Sequence, residues 1–375
     1  MANADAIDAA LQSAVDEGTF PGAVLAVRHR GILVYQRAVG RLALAPSAGS
    51  ATVDTIYDLA SLTKPLATTT AVLMLAQRGQ LTLESRVEDW LQPLTGASIG
   101  ATRLEHLLSH SSGLPGWRPF YERLCVDGFV HDGHVDREEA KAAVVAYIRD
   151  EPLLYPTGSR SLYSDLGFML LGFIVERIAG RSLAAFCEDE LFGPAGAKLA
   201  YRPQGVHTPA SSFSGAVAIA ATEEDPWRGR VLCGEVHDEN AYALGGIAGH
   251  AGLFGTAGAV LAMSAAWLAA YWSEESILDG SLVRRFVSRQ RHIPHSSWAL
   301  GWDTPSAPSS AGVYFSDSSF GHLGYTGTSL WIDPSRRLEV VLLSNRVHPT
   351  RQNERIRRFR PHVHDLVCRE ILKEA

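Results

Sequence analysis

Apolar positions along the chain follow two periods, and the switch between them outlines the fold. Residues 22–27 and 32–39 are two apolar runs around Arg28-His29-Arg30-Gly31, a compact polar turn, and they predict a β-hairpin. Near the other end, residues 321–324, 328–332 and 338–344, with a turn at Asp333-Pro334, predict more sheet. Helical spacing dominates elsewhere. Ile7, Leu11 and Val15 make the first twenty residues an amphipathic helix, and residues 61–77 become a helix carrying the apolar run 66–76. Residues 81–84 predict a short extended piece and 87–91 a helical turn. Thr102 with Glu105 three positions later reads as a capping box opening a helix to Leu108. Further helices are expected over 137–149, 166–178 (closed by Gly180), 258–272 and 353–372. Six glycines between 245 and 258 predict backbone packed on backbone or on a ligand.

A chain of 375 residues is long enough for a large core and about two domains. Its net charge of −6 gives no global argument for nucleic acid or an acidic membrane surface. The arginines at 355, 357, 358 and 360 read as a solvated or ion-paired helix face, since no aromatic interleaving accompanies them. Residues 241–272 lack any Asp, Glu, Lys or Arg, but their helical half is only about fifteen residues, too short to span a bilayer. The first twenty residues carry acids and no basic stretch before an apolar core, so no signal peptide and a cytoplasmic location are expected. Four scattered cysteines without a CxxC suit buried thiols in a reducing compartment. His131-Asp132-Gly133-His134 has no usefully spaced third ligand and reads as a solvated loop; no metal or cofactor is expected.

Candidate chemistry gathers at Ser61-Leu62-Thr63-Lys64-Pro65. On a helix, Ser61 and Lys64 lie one turn apart on one face, which brings an amine to a hydroxyl. Pro65 fits only a first turn, which puts Ser61 where free N–H groups and the positive dipole end face it. Only four lysines accompany thirty arginines, so a lysine here is a cation that can lose its proton where arginine cannot. The spacing alone is weak, an accident in roughly one such chain in three. The loop Ser109-His110-Ser111-Ser112-Gly113 reads as turn chemistry, and Tyr163 by itself as an aromatic preceding a core helix.

Taken together, Ser61-Leu62-Thr63-Lys64, Tyr163-Ser164-Asp165 and His322-Leu323-Gly324 stand in a recognisable order. The chain resembles the serine β-lactamase and penicillin-binding-protein superfamily, in its class C-like branch of DD-peptidases, esterases, D-aminopeptidases and muropeptide amidases. Longer segments carry the likeness too: Leu-Leu-Ser-His-Ser-Ser-Gly-Leu at 107–114, Tyr-Ser-Asp-Leu-Gly-Phe-Met-Leu-Leu-Gly at 163–172, His-Asp-Glu-Asn-Ala at 237–241 through Gly-His-Ala-Gly-Leu-Phe at 249–254, and the run from Gly321 to Pro334. The last two look most like the sub-branch of penicillin-binding-protein-4B-like and N-acetylmuramoyl-L-alanine amidase-like proteins.

The resemblance implies an α/β (α+β) fold of the β-lactamase/transpeptidase type. An antiparallel sheet flanked by helices would be built from residues 1–95 and 245–375, with a mostly helical domain, 96–244, inserted. Ser61 would be the acylated nucleophile. Lys64, desolvated or crowded by positive charge, would take its proton, and Tyr163 would shuttle that proton to the leaving group. The N–H groups of Ser61 and Tyr325 would form the oxyanion hole, with Asp165, His322 and Gly324 contacting substrate. Two departures stand out. Asp165 replaces the Asn of penicillin-recognising members, and His322 replaces a Lys that holds the carboxylate of penicillins. Both imply a neutral ester or amide, or a substrate with an amine near Asp165, cleaved by a metal-independent serine hydrolase with at best slow β-lactamase activity. The expected partner is thus a small ester, amide or muropeptide. Acyl transfer to an alcohol or amine would use the same residues. A catalytically inert binder of cell-wall fragments is the non-enzymatic alternative, and the presence of Ser, Lys and Tyr together argues against it.

Overall fold

The computed structural model describes residues 4–131, 134–202 and 218–373. Its main sheet joins the two ends of the chain. Strands β1 (Gly22–His29) and β2 (Ile32–Gly40) form the expected hairpin. Two short strands follow, β3 (Tyr57–Asp58) and β4 (Ala200–Tyr201), then β5 (Leu253–Gly255). The late strands are β6 (Phe320–Leu323), β7 (Ser329–Asp333) and β8 (Leu338–Ser344). The five-stranded antiparallel sheet runs β6-β7-β8-β1-β2, with Ala23 opposite Ser344 and Val27 opposite Val340. β1 is an interior strand, between β8 and the edge strand β2, and both its faces are covered, which explains its unbroken apolar run.

The two-residue period of β1 divides the core. Ala23, Leu25 and Val27 face helices α1 (Asp5–Asp16) and, at the other end of the chain, α6 (Ile356–Leu372), through Ile7, Leu11, Val363 and Val367. Val24 and Ala26 face the opposite layer, where helix α5 (Ala257–Tyr271) contributes Val260, Met263 and Trp267. Further helices include α2 (Thr70–Gln77), α3 (Arg137–Arg149) and α4 (Asp165–Ala179). Ser164 caps α4 by accepting from Gly167 N–H, and Gly180 ends it at φ 66°, the left-handed conformation that glycine adopts freely.

Several expectations need correction. The segment after Ser61 is not one α-helix. Ala60–Leu62 is a single 3₁₀ turn, Lys64–Thr69 a π turn, and regular α geometry begins at Thr70. Pro65 supplies no N–H, and its carbonyl accepts from Thr70 Oγ1 at 2.8 Å, which fits the wider turn. Thr102 caps nothing. The helix Leu104–Leu108 starts after Arg103, and its leading N–H groups go to carbonyls brought in by the fold, Leu104 to Ser85 and Glu105 to Leu83. Of the four cysteines only Cys187 and Cys368 are buried; Cys233 is exposed. Asp132 and Gly133 lie outside the described residues, and the neighbouring Val130–His131 and His134–Val135 pair as a short hairpin. Among the described residues no helix is long and apolar enough to cross a membrane, and no cluster of His, Cys, Asp or Glu is arranged to hold a metal.

The glycine-rich run does pack backbone on backbone. A Cβ on Gly249 would stand 2.0 Å from Phe168 O in α4, and Gly172 of that helix abuts Gly249 in turn. The contact sets the height of the segment whose next carbonyl, that of His250, reaches Lys64. Gly249→Ala is therefore expected to cost ~3 kcal/mol through overpacking, read as a lower urea midpoint with unchanged m.

Candidate active site

Ser61 is held by a turn that its neighbours over-determine. Asp58, buried at the end of β3, accepts from Ala60 N–H at 2.8 Å with one oxygen and from His237 N–H at 2.7 Å with the other. Ala60 sits at φ 48°, a left-handed conformation that costs an L-residue roughly 1–2 kcal/mol and that the Asp58 bond sustains. Thr63 Oγ1 donates to Ala60 O at 2.6 Å, and Thr328 Oγ1 donates to Leu59 O at 3.0 Å from the start of β7. Gly324 is required there, since a Cβ would meet Thr328 Oγ1 at 1.9 Å and Leu59 O at 2.6 Å.

Lys64 is completely buried. Its Nζ donates to Ser61 Oγ at 3.0 Å and to His250 O at 3.1 Å. It also stands 2.7 Å from Asp165 Oδ1, a buried ion pair. Burial works to lower the lysine pKa, but Asp165 and Tyr163 outweigh it and hold the amine above its ordinary value. Lys64 is thus desolvated, one of the two conditions expected from the sequence, but it faces a carboxylate rather than further positive charge, and Asp165 sets one oxygen against Lys64 rather than leaving both to substrate. The Tyr163 ring lies 4.8 Å from Nζ, and its hydroxyl interacts with both Lys64 and Ser61. Burial raises the phenol pKa in spite of the nearby ammonium.

His322 lies on β6, an edge strand of the main sheet. Its Nδ1 is 2.8 Å from Leu323 O, and burial, with Lys64 adding to it, pushes the ring down to about 3, so it is neutral at physiological pH. The N–H groups of Ser61 and Tyr325 have no hydrogen-bond partner among the described residues, as donors for an oxyanion require.

Several residues join the site to which the sequence assigned no role, although His110, Asp238 and His250 lie in the family-like segments. His110 is buried at φ 55°; its Nδ1 accepts from Ser164 N–H at 3.1 Å, and its ring packs 4.6 Å from Tyr163 and 4.4 Å from Trp298. The loop read as turn chemistry therefore aims Tyr163. His250 Nε2 pairs with Asp238 Oδ1 at 2.8 Å, and Asp238 caps the short helix Glu239–Ala243, so the 237–241 and 249–254 segments form one brace behind Lys64. Arg360, expected on a solvated face, is instead buried against this site.

Two cavities meet at Ser61, and Tyr163 and Tyr325 line both. One, of about 370 Å³, holds Asp165, Asp238, Glu239 and Trp117. The other, of about 300 Å³, holds His322, Trp298, Arg346 and Arg360. A larger groove of about 1080 Å³ between α1 and α6 contains none of the motif residues.

The buried histidines make stability pH-dependent. Burial holds His110 well below its ordinary value, His322 at about 3 and His364 at about 4. Each stays neutral when folded but takes a proton below ~6.5 once unfolded, so stability is complete above ~6.5 and declines as the pH falls toward their folded values. Asp303, pushed up to about 6 by burial, opposes this with one proton. Urea unfolding at pH 7.5 and 5.0 is expected to give the lower midpoint at pH 5.0.

A family model described as Beta-lactamase matches residues 7–364. A putative D-alanyl-D-alanine carboxypeptidase of Escherichia coli K12 is 29% identical over 367 residues, covering 91% of this chain and 82% of that one. An N-acetylmuramyl-L-alanine amidase of Bacillus subtilis 168 is 32% identical over 356 residues, covering 88% and 78%. In structure, the octameric penicillin-binding protein homologue from Pyrococcus abyssi superimposes with a TM-score of 0.74 at 19% identity, covering 99% of this chain and 78% of that one. With the family model spanning nearly its whole length, this chain belongs to the Beta-lactamase family and is a serine hydrolase of that family.

Proposed function

We propose that the protein cleaves an ester or amide bond of a peptide or muropeptide through an acyl-enzyme on Ser61. The observation that carries this reading is the Lys64 Nζ to Ser61 Oγ contact of 3.0 Å at the junction of two cavities, with Tyr163 over both groups. The names of the carboxypeptidase and amidase relatives favour a cell-wall peptide over a simple ester. Ser61 Oγ attacks the carbonyl carbon while its proton passes to the Lys64–Tyr163 pair. The carbonyl oxygen takes up negative charge against the N–H groups of Ser61 and Tyr325. Tyr163 returns the proton to the leaving alcohol or amine; in the second half the Lys64–Tyr163 pair takes a proton from the water that attacks the ester and gives it to Ser61 Oγ as that oxygen departs. Only enzyme with neutral Lys64 can begin this cycle, so activity rises on the alkaline side.

The test is to incubate the protein with p-nitrophenyl esters, a fluorescent penicillin and N-acetylmuramyl peptides, following intact mass and product. A covalent adduct on the peptide bearing Ser61, with release of L-Ala-linked peptide, supports the amidase reading. Ester turnover without muropeptide cleavage supports an esterase. No adduct and no turnover on any of them would sink the proposal.

A further inference from the structure

Among the described residues only three Phe, Tyr or Trp side chains are exposed: Trp117, Trp272 and Tyr325. Trp272, just past α5, has the Arg337 guanidinium 5.1 Å from its ring centre and donates through Nε1 to Pro334 O at 3.2 Å. Trp117 and Tyr325, 42% and 49% exposed, come from segments far apart in the chain and line one cavity, that of about 370 Å³ opening on Ser61. Large apolar rings left facing water at the wall of a concave pocket mark a place where a ligand covers them. Both rings are set before any ligand arrives. His237 stacks on the Tyr325 ring, with centroids 5.8 Å apart and planes 27° from parallel. Asn240, in the short helix Glu239–Ala243, accepts from Tyr121 N–H at 2.9 Å and donates to Arg118 O at 2.8 Å, which ties the loop of Trp117 to the helix that carries Glu239. Trp117 itself belongs to neither core layer.

The polar groups of the cavity narrow the ligand. Each carboxylate is already engaged: Asp165 by Lys64 at 2.7 Å, Asp238 by His250 at 2.8 Å and Glu239 by Arg351 at 2.6 Å. A ligand cation would therefore compete with cationic or hydrogen-bonded partners already in place, and a ligand anion would face three carboxylates. Among the described residues the contacts of Asp238 and Glu239 fall on Oδ1 and Oε1, which leaves Oδ2 and Oε2 to accept from a neutral donor. A pyranose ring answers both features, with a face of C–H groups to lie on an aromatic ring and hydroxyl and amide donors around its rim.

We propose that this cavity is a saccharide subsite, in which a neutral pyranose ring stacks on Trp117 and Tyr325 and donates from its rim to Asp238 and Glu239. This deepens the muropeptide reading, with the sugar on the Asp165 side of Ser61 and the peptide on the His322 side. The inference rests on that reading for the reaction but not for binding. His237 and Asn240 are positioning residues here: one holds the Tyr325 ring and the other the loop of Trp117, so little ordering is left for the ligand to induce.

A matched pair of substrates tests this: N-acetylmuramyl-L-alanyl-D-isoglutamine, and the same dipeptide carrying an O-methyl-D-lactyl group, which keeps the amide and removes the pyranose. The wild-type protein is expected to release L-alanyl-D-isoglutamine from the muramyl compound with a kcat/KM tenfold or more above that for the lactyl compound. Trp117→Ala is expected to bring the ratio near one, and Trp117→Phe to restore part of it. Equal rates on the two compounds in the wild type, or a fall in the same proportion on both in Trp117→Ala, would overturn the subsite while leaving the reaction in place. Binding is read separately in Ser61→Ala, by thermal shift and tryptophan fluorescence, with the methyl glycoside of N-acetylmuramic acid amide, with O-methyl-lactamide and with choline. A response to the glycoside alone, lost when Trp117→Ala is added, is expected even if the wild type cleaves neither dipeptide; that result would sink the muropeptide reaction and keep the sugar site. No response to the glycoside in Ser61→Ala, or a stronger one to choline, overturns the site, the second outcome marking a cation cage.

Discussion

Ser61→Ala is expected to lower kcat by at least ~10⁴-fold on any ester or amide the protein turns over, because it removes the atom that forms the covalent bond. What survives is binding and the oxyanion donors, whose N–H groups the substitution leaves in the backbone. Lys64→Arg is expected to lose ~10³-fold, since a guanidinium cannot accept the Ser61 proton at any physiological pH. The double variant should be little worse than Ser61→Ala, because the two groups act as one unit. Steady-state rates with a chromogenic thioester, alongside thermal melts to verify folding, provide the check. A Lys64→Arg enzyme with full activity would remove lysine from the proton path.

Asp165→Asn is expected to raise, not lower, the rate on neutral esters at pH 6, by roughly tenfold or more. Lys64 is fully buried, and burial alone would push its pKa down; Asp165 at 2.7 Å is the first-ranked influence holding it up. Taking away that charge leaves burial as the larger influence, so the amine becomes available at lower pH. The acid limb of the kcat/KM profile should move down by at least one pH unit, which corresponds to about 1.4 kcal/mol for the protonation equilibrium. The amide keeps the size of the aspartate, and the α4 cap is supplied by Ser164, so the helix is retained. An unmoved limb with a reduced rate would instead mean that Asp165 takes part in proton transfer or in placing substrate.

Much of the fold was readable because it rests on local period. The β1–β2 hairpin, the late strands, α3 and α4 with its Gly180 stop all follow from alternation, helical spacing or turn chemistry. The expectations that failed did so where a distant segment supplied what local rules assume to be local. Thr102 lost its capping role because Ser85 and Leu83 offered carbonyls to the next helix, and the helix after Ser61 opened as a π turn around the missing N–H of Pro65. His110 looked like loop chemistry because nothing in the order of residues says that its ring stacks on Tyr163.

By itself the sequence singled out the groups proposed to react, because Ser61 and Lys64 are one turn apart and Tyr163 and His322 sit in motifs that only their joint order makes specific. That the sheet joins both chain ends came from the resemblance, and the early hairpin and the late strands agree with it. Charge was decided by the tertiary structure alone. Lys64 is held protonated because folding sets Asp165 against it, and the cavity beside neutral His322 is cationic because α6 turns Arg360 inward. Such electrostatic partners lie far apart in the chain and follow no period, so only the packed molecule brings them within reach of the nucleophile.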